Sequence, residues 1–179
     1  MKPTDEVPVP KGINAGLSGC GNKLMLSLLG NPRNSYAADC RPVTNAALSR
    51  RIVTENVGPF RVTGFDLAVA DLHAIFAEIK VTDPMAYAML GTAGMLCCRL
   101  VRGSKASISN HSWGTAIDLT INRVLDERGD DKVQVALTQI APVFHKYGWF
   151  WGAGFSTEDA MHFEVSAERM TKWKSEGKL

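Results

Sequence analysis

A short polar segment in the second half of the chain places a histidine and an aspartate on either side of a glycine and then becomes apolar. It reads Ser109-Asn110-His111-Ser112-Trp113-Gly114-Thr115-Ala116-Ile117-Asp118, followed by Leu119-Thr120-Ile121. Apolar and β-branched residues favour extended structure, so we predict a strand over residues 116–121. Asp118 would then point inward from that strand.

A second polar segment follows downstream and reads Glu158-Asp159-Ala160-Met161-His162-Phe163-Glu164. Imidazoles and carboxylates are good ligands for first-row metals, and two histidines with one carboxylate leave a position open for chemistry. We therefore take His111, Asp118 and His162 as candidate metal ligands. Glu164 is a candidate partner for the second ring nitrogen of a ligand histidine. His73 and His145 lie in predicted helices, where helix-flank roles are expected.

Together the segments give S-x-H-x-x-G-x-A-x-D followed by D-x-x-H-x-E, and this pattern resembles the M15 family of zinc peptidases, which cut bacterial peptidoglycan. The resemblance extends over roughly residues 95–165. It implies that His111, Asp118 and His162 bind Zn²⁺ and that Asp159 is the general base, with Glu158 as the competitor for that role. It also implies a small antiparallel sheet carrying the zinc site, packed with helices as in the Hedgehog and DD-peptidase folds.

The resemblance implies hydrolysis of peptidoglycan stem peptides. Relatives include D-alanyl-D-alanine carboxypeptidases and the L-alanyl-D-glutamate endopeptidases found among phage endolysins. Many carry glutamate where this chain has Asp159, whereas the endolysin-like branch uses aspartate, which favours an endopeptidase. The bond that is cut and a phage or cellular origin stay open. The alternatives are a non-catalytic zinc-binding module that recognises the cell wall, and two histidines that are ordinary core residues.

Four further residues are candidates for the substrate site or its support. Relatives use an arginine before the first motif to hold a substrate carboxylate. Residues 98–103 read as a strand, on which Arg99 and Arg102 face opposite sides, so at most one should face the site, and similarity favours Arg99. Trp151 could line the cleft, although aromatic clusters are more often core. Ser109 could hydrogen-bond near the metal or shape its loop.

The remaining pattern favours an α+β fold with one domain over residues 21–179, preceded by an extended arm over residues 1–20. Strands are predicted at residues 60–64, 98–103, 116–121 and 161–165. Helices are predicted at residues 22–29, 132–147 and 166–174. Two further helices are predicted, one that begins after a cap at Thr44 and includes Leu48 and Ile52, and one from Asp66 through Ile79.

The composition limits the choice of partners and of compartment. A formal net charge of +2, with no run of Lys or Arg, argues against nucleic acid. No segment reads as membrane-spanning or as a Sec-type signal. We expect a monomer that acts on the cell wall or in the periplasm and that reaches it by lysis, by dedicated secretion or after loss of a signal.

The four cysteines, Cys20, Cys40, Cys97 and Cys98, lack the spacing of a metal-binding pair. We interpret them mainly as small buried apolar residues. A disulfide between Cys20 and Cys40 is the alternative if the protein works outside the cytoplasm.

Overall fold

Eight strands and six helices are distributed along the chain, and the computed structural model describes residues 1–179. In order they are β1 (Glu6–Pro8), α1 (Asn22–Leu29), α2 (Ala46–Ser49), β2 (Ile52–Asn56), β3 (Arg61–Phe65), α3 (Asp66–Thr82), α4 (Pro84–Met89), β4 (Leu90–Gly94), β5 (Ala116–Ile121), β6 (Lys132–Gln134), α5 (Val135–Lys146), β7 (Trp149–Trp151), β8 (His162–Val165) and α6 (Ala167–Ser175). The predicted α+β class is confirmed. No helix combines the length and apolar composition that a membrane span requires.

The central sheet has four antiparallel strands in the order β4-β5-β8-β7. Two further strand pairs are present, β1 with β6 and β2 with β3. The predicted strands near residues 60–64, 116–121 and 161–165 are therefore present. They supply β3 and the two middle strands of the central sheet.

Helices α3 and α5 cover one face of this sheet through an aromatic stack. Phe76 of α3 meets Phe144 of α5 edge to face, with ring centroids 6.0 Å apart, and Phe144 stacks on Phe163 of β8 at 4.2 Å. All three side chains are fully buried. Burial of such rings is a main source of folding free energy, so the apolar core lies on this side.

The register between β5 and β8 decides which residues face away from the core. Ile117 lies opposite Phe163, and Asp118 lies opposite His162. Because successive side chains on a strand point to opposite faces, the first pair joins the core and the second pair emerges on the other face. The two middle strands thus present a carboxylate and an imidazole side by side.

Two predicted elements are wrong. The helix expected from Thr44 is only Ala46–Ser49, capped by Asn45, and Ile52 begins β2, because the β-branched run that it starts pairs with β3. The strand expected at residues 98–103 is absent, and the chain there turns at Gly103, whose φ is +79°. Only single bridges form in this stretch, among them Leu100 with Ile108.

The N-terminal arm, residues 1–20, contains the short strand β1 and a run of turns over residues 11–16, and it is hydrogen-bonded to the rest of the fold at several points. Its strand β1 pairs with β6. The buried Asn14 side chain accepts from the Trp151 backbone N–H at 2.7 Å and donates to the Trp151 carbonyl at 2.9 Å. The backbone N–H of Cys20 donates to Glu164 at 2.9 Å. The end of the arm therefore reaches the site face of β8.

The cysteines pair differently from the expected alternative. Cys40 forms a disulfide with Cys97, whereas Cys20 and Cys98 are free and buried. The main interpretation, four small buried apolar cysteines, therefore holds for Cys20 and Cys98 only, and the alternative Cys20–Cys40 bridge is absent because Cys40 is bonded to Cys97. The disulfide ties the segment that follows α1 to the chain just before the first polar motif.

Candidate metal centre and cleft

Three predicted ligands converge above the middle of the sheet. Asp118 Oδ1 lies 3.2 Å from His111 Nε2 and 3.2 Å from His162 Nδ1. One potential ligand atom from each of the three residues lies within 4.8 Å of the others. The structure thus brings together His111, Asp118 and His162 and leaves His73 and His145 elsewhere.

His111 reaches this place on a one-turn 3-10 helix, Asn110–Trp113, that ends at Gly114. Gly114 has a φ of +68°, and a Cβ atom there would lie 2.7 Å from the Phe65 backbone nitrogen. Only glycine combines this left-handed backbone with so close an approach. The glycine of the motif therefore lets the turn pack against β3 and enter β5.

Each ligand histidine is oriented through its second ring nitrogen. His111 Nδ1 lies 2.7 Å from the Met95 carbonyl oxygen, and His162 Nε2 lies 2.8 Å from Glu164 Oε2. A carbonyl and a carboxylate accept hydrogen bonds, so these two nitrogens carry the protons. Nε2 of His111 and Nδ1 of His162 are then the atoms free to bind a metal. Glu164 thus lies where it can orient the His162 ring.

The distances within this group fit a metal ion. Two ligand atoms about 2.0–2.1 Å from a tetrahedral metal ion lie about 3.3 Å apart, and both contacts of Asp118 are 3.2 Å. Two imidazole nitrogens and one carboxylate oxygen form a donor set typical of transition metals. His111, Asp118 and His162 can therefore hold a metal ion.

The charges in the group are strongly coupled. Burial opposes ionisation of Asp118, but hydrogen bonds with His111 and His162 outweigh it and hold the pKa of this carboxyl well below its usual range. Burial also opposes a charge on His162, yet hydrogen bonds with Asp118 and Glu164 raise its pKa to about 10. The site therefore favours a positive charge beside the Asp118 carboxylate, which is what a metal cation supplies.

Asp159 lines the same cleft as the candidate ligands. Burial raises the pKa of its carboxyl. Its Oδ1 is buried without a hydrogen-bond partner, and its Oδ2 lies 3.4 Å from Arg128 Nε. The competitor Glu158 is committed elsewhere, because its two oxygens accept from the backbone N–H groups of Gly129 at 2.9 Å and Ala160 at 2.7 Å. Asp159 thus keeps a carboxyl oxygen without a hydrogen-bond partner, whereas both oxygens of Glu158 are occupied.

These groups lie in a cleft with a volume of about 590 Å³. The ligands and Glu164 lie among its lining residues, together with parts of residues 19–22 and 99–110. Arg128 and parts of residues 155–161 complete the lining. The cleft thus combines a group able to bind a metal with several cationic side chains.

Both Arg99 and Arg102 line the cleft, although at most one was expected to do so. The expectation failed because residues 98–103 form no regular strand, so the alternation of faces does not apply. The Ser112 hydroxyl fixes this segment, accepting from the Arg99 N–H and donating to the Arg99 carbonyl, both at 3.1 Å. Ser112 was not singled out from the sequence, although it lies within the motif.

Trp151 does not line the cleft, contrary to its assignment as a substrate-binding residue. It is fully buried, stacks on Phe163 and donates from its indole N–H to the Ala160 carbonyl at 2.7 Å. The neighbouring Gly152 lets the chain pass close to the ligand strand, because a Cβ there would lie 3.0 Å from His162 Cβ. Trp151 therefore supports the site from the core.

Ser109 is buried and belongs to the lining of the cleft. Its backbone N–H donates to the Arg99 carbonyl at 3.1 Å, and its carbonyl accepts from the Ser112 N–H at 2.8 Å. These bonds hold the turn that carries His111. Shaping of the loop is thus the role that the structure supports for Ser109.

Arg128 is the charged residue of the cleft lining that the sequence did not indicate. It belongs to no motif and lies in an irregular loop between β5 and β6. A long loop that folds back on the site leaves no periodic signal in the sequence.

Comparison with known protein families agrees with the motif. Residues 102–165 match the M15 peptidase family model described as D-alanyl-D-alanine carboxypeptidase. The match includes all three candidate ligands and Asp159, and it confirms the resemblance inferred from the sequence. Searches of curated proteins and of solved structures returned no match.

Proposed function

We propose, from the premise that residues 102–165 match an M15 peptidase, that this protein is a zinc peptidase acting on peptidoglycan stem peptides. The observation that carries the proposal is the position of Asp118 Oδ1, 3.2 Å from one nitrogen of each ligand histidine. Two nitrogens and one oxygen suit Zn²⁺ better than Ca²⁺ or Mg²⁺, which prefer oxygen. His111, Asp118 and His162 would hold the ion.

The chain supplies an acid–base group next to the ion. Zinc would act as a Lewis acid that polarises a carbonyl and makes a water acidic near neutral pH. Asp159 accepts a proton from the attacking water as the water oxygen bonds to the carbonyl carbon. It returns the proton to the leaving amine when the C–N bond breaks. Burial raises the pKa of Asp159, which makes its carboxylate a stronger base towards the attacking water.

The peptidoglycan substrate is supported by the family description and by the charge of the cleft. Arg99, Arg102 and Arg128 line it, and guanidinium groups bind carboxylates in a bidentate manner. Stem peptides carry free carboxylates near both candidate bonds. Aspartate rather than glutamate at position 159 favours the bond between L-alanine and D-glutamate over that between two D-alanines.

Action outside the reducing cytoplasm is supported by the Cys40–Cys97 disulfide. Disulfides persist mainly in oxidising compartments and at cell surfaces. The cell wall or the periplasm is therefore the place of action that we propose.

Incubation of purified muropeptides with the protein, followed by mass spectrometry, tests the proposal. Zinc-loaded protein should release fragments cut at one of the two candidate bonds, and chelated protein should release none. Asp159→Asn serves as the inactive control that still binds zinc. Intact muropeptides after incubation with zinc-loaded protein, combined with retained wall binding, would instead indicate a non-catalytic recognition module.

A further inference from the structure

Arg128 lies on the irregular loop over residues 122–131, and its guanidinium contacts the proposed base. Its Nε is 3.4 Å from Asp159 Oδ2, and the Arg128 side chain is 35% exposed. The same side chain lines the cleft. It is therefore placed to contact both Asp159 and a bound peptide.

Hydrogen bonds on both sides of Arg128 hold the loop in this position. The Gly129 N–H donates to Glu158 Oε2 at 2.9 Å, and Glu158 is 3% exposed. On the other side of Arg128, Asp126 accepts from the Gln134 N–H at 2.6 Å. A buried hydrogen bond to a carboxylate such as that of Glu158 is among the stronger ones in proteins. Arg128 is therefore anchored through both flanks of its loop.

Most of the donors of Arg128 are uncommitted. A guanidinium has five N–H donors in a planar fork, and only the Nε of Arg128 faces a protein group, the Asp159 carboxylate. The two Nη groups have no hydrogen bond to the protein, in contrast to Arg169, which binds Asp71 through both Nε and Nη2. The free edge of Arg128 matches the bidentate geometry of a carboxylate.

We propose that Arg128 is a specificity-determining residue that binds the α-carboxylate of the residue supplying the leaving amine, an inference that rests on the proposed function. Asp159 returns the proton to that amine, so the group in contact with Asp159 lies on the amine side of the scissile bond. The Nε of Arg128 keeps Asp159 in place, and its Nη groups hold the carboxylate. The preferred substrate is then a peptide whose amine-side residue carries a free α-carboxylate.

Two pairs of peptides, one pair for each candidate bond, test this inference. The members of a pair differ only in having an α-carboxylate or an α-amide on the amine-side residue. Wild-type protein should cleave the acid about 10- to 100-fold better than the amide in kcat/KM, as expected for a charged hydrogen bond. Arg128→Gln should cleave both more slowly and lose the preference, and Arg128→Lys should keep a small part of it. Arg123→Gln, an exposed change on the same loop outside the cleft, should behave as wild type.

Calorimetric binding of the same peptides to zinc-loaded protein provides a readout without turnover. The preference for the acid in Kd should also disappear in Arg128→Gln, and thermal melting checks that the variants are folded. If Arg128→Gln does not fold, the test uses Arg128→Lys, in which most of the preference for the acid should be lost. A preference for the acid that survives loss of Arg128, or that disappears in Arg99→Gln instead, overturns the inference. Failure of wild-type protein to cleave any of the peptides would overturn the proposed function. The binding measurement would then still test whether Arg128 binds the α-carboxylate.

Discussion

The cleft has two parts that are built in different ways. Its floor consists of His111, Asp118 and His162, and its rim includes Arg102 and Arg128. Asp118 and His162 lie opposite each other on paired strands, and His111 is fixed by a turn against β3. Arg102 and Arg128, by contrast, lie on irregular segments and are exposed. Strand register leaves a ligand little freedom, whereas loops tolerate change without loss of the fold. Under the proposed function, the floor would keep one chemistry while the rim selects the peptide.

Loss of a floor ligand should have the largest effect. In His111→Ala one of three ligands is missing, so zinc content and peptidase activity should fall together to background. Metal analysis and peptide cleavage measure both. His73→Ala is the control, because this exposed histidine bonds Glu55 at 2.7 Å and lies outside the group. Zinc lost from the control and kept in His111→Ala would show that the floor has been misassigned.

The Asp159→Asn variant separates the base from the ligands. Asparagine is nearly isosteric but cannot accept the proton, so kcat should fall about 10²- to 10⁴-fold while zinc stays bound. Steady-state kinetics and metal analysis of the same preparation check this. Asp130→Asn, the same change on the exposed loop, should keep wild-type kcat. Loss of zinc from Asp159→Asn would instead make Asp159 a ligand.

A smaller effect is expected from Glu164→Gln. Glu164 accepts from His162 Nε2 at 2.8 Å and from the Cys20 N–H at 2.9 Å. An amide can keep only one of these acceptor oxygens, so the orientation of His162 should loosen and zinc affinity should fall about 10- to 100-fold. Competition with a chelator measures the affinity. Unchanged affinity would mean that β8 alone fixes His162.

The smallest predicted effect concerns the stability of the rim. Burial raises the pKa of Asp126 to about 7, against the opposing hydrogen bond from the Gln134 N–H. The carboxyl of Asp126 thus binds its proton more tightly in the folded protein than in the unfolded chain, where the pKa of aspartate is about 3.9. Stability should therefore fall as pH rises from about 4 to about 7.

Asp126→Asn removes this dependence, because asparagine stays neutral at every pH. Its melting temperature should exceed that of wild type at about pH 8 and approach it at about pH 4. Thermal melting at the two pH values measures the difference. A variant less stable than wild type at about pH 8 would show that the folded loop favours the charged form of Asp126.

The sequence predicted the floor because its residues carry both the chemistry and the strand pattern. His111, Asp118 and His162 could be chosen from residue type and spacing, and the helix at residues 22–29 from a run of leucines closed by glycine. The rim was not accessible in this way. Arg128 reaches the cleft through a loop anchored by Glu158, a contact between distant segments that no local pattern encodes.

Trp151 and the segment of Arg99 and Arg102 show the same limit. The indole of Trp151 meets a carbonyl within the core, so an aromatic residue near the motif was packing and not a wall of the cleft. A turn at Gly103 replaced the predicted strand, which placed both arginines at the cleft. Side-chain alternation predicts faces only where a strand actually forms.

The most direct test is a crystal structure of zinc-soaked protein with anomalous scattering measured at the zinc edge. We predict one peak per chain, bound by Nε2 of His111, an oxygen of Asp118 and Nδ1 of His162, with Asp159 close by but not coordinated. The nitrogen assignment follows from the bonds that Met95 and Glu164 make to the other ring nitrogens. No peak among these residues, or a peak at His73 or His145, would contradict the account.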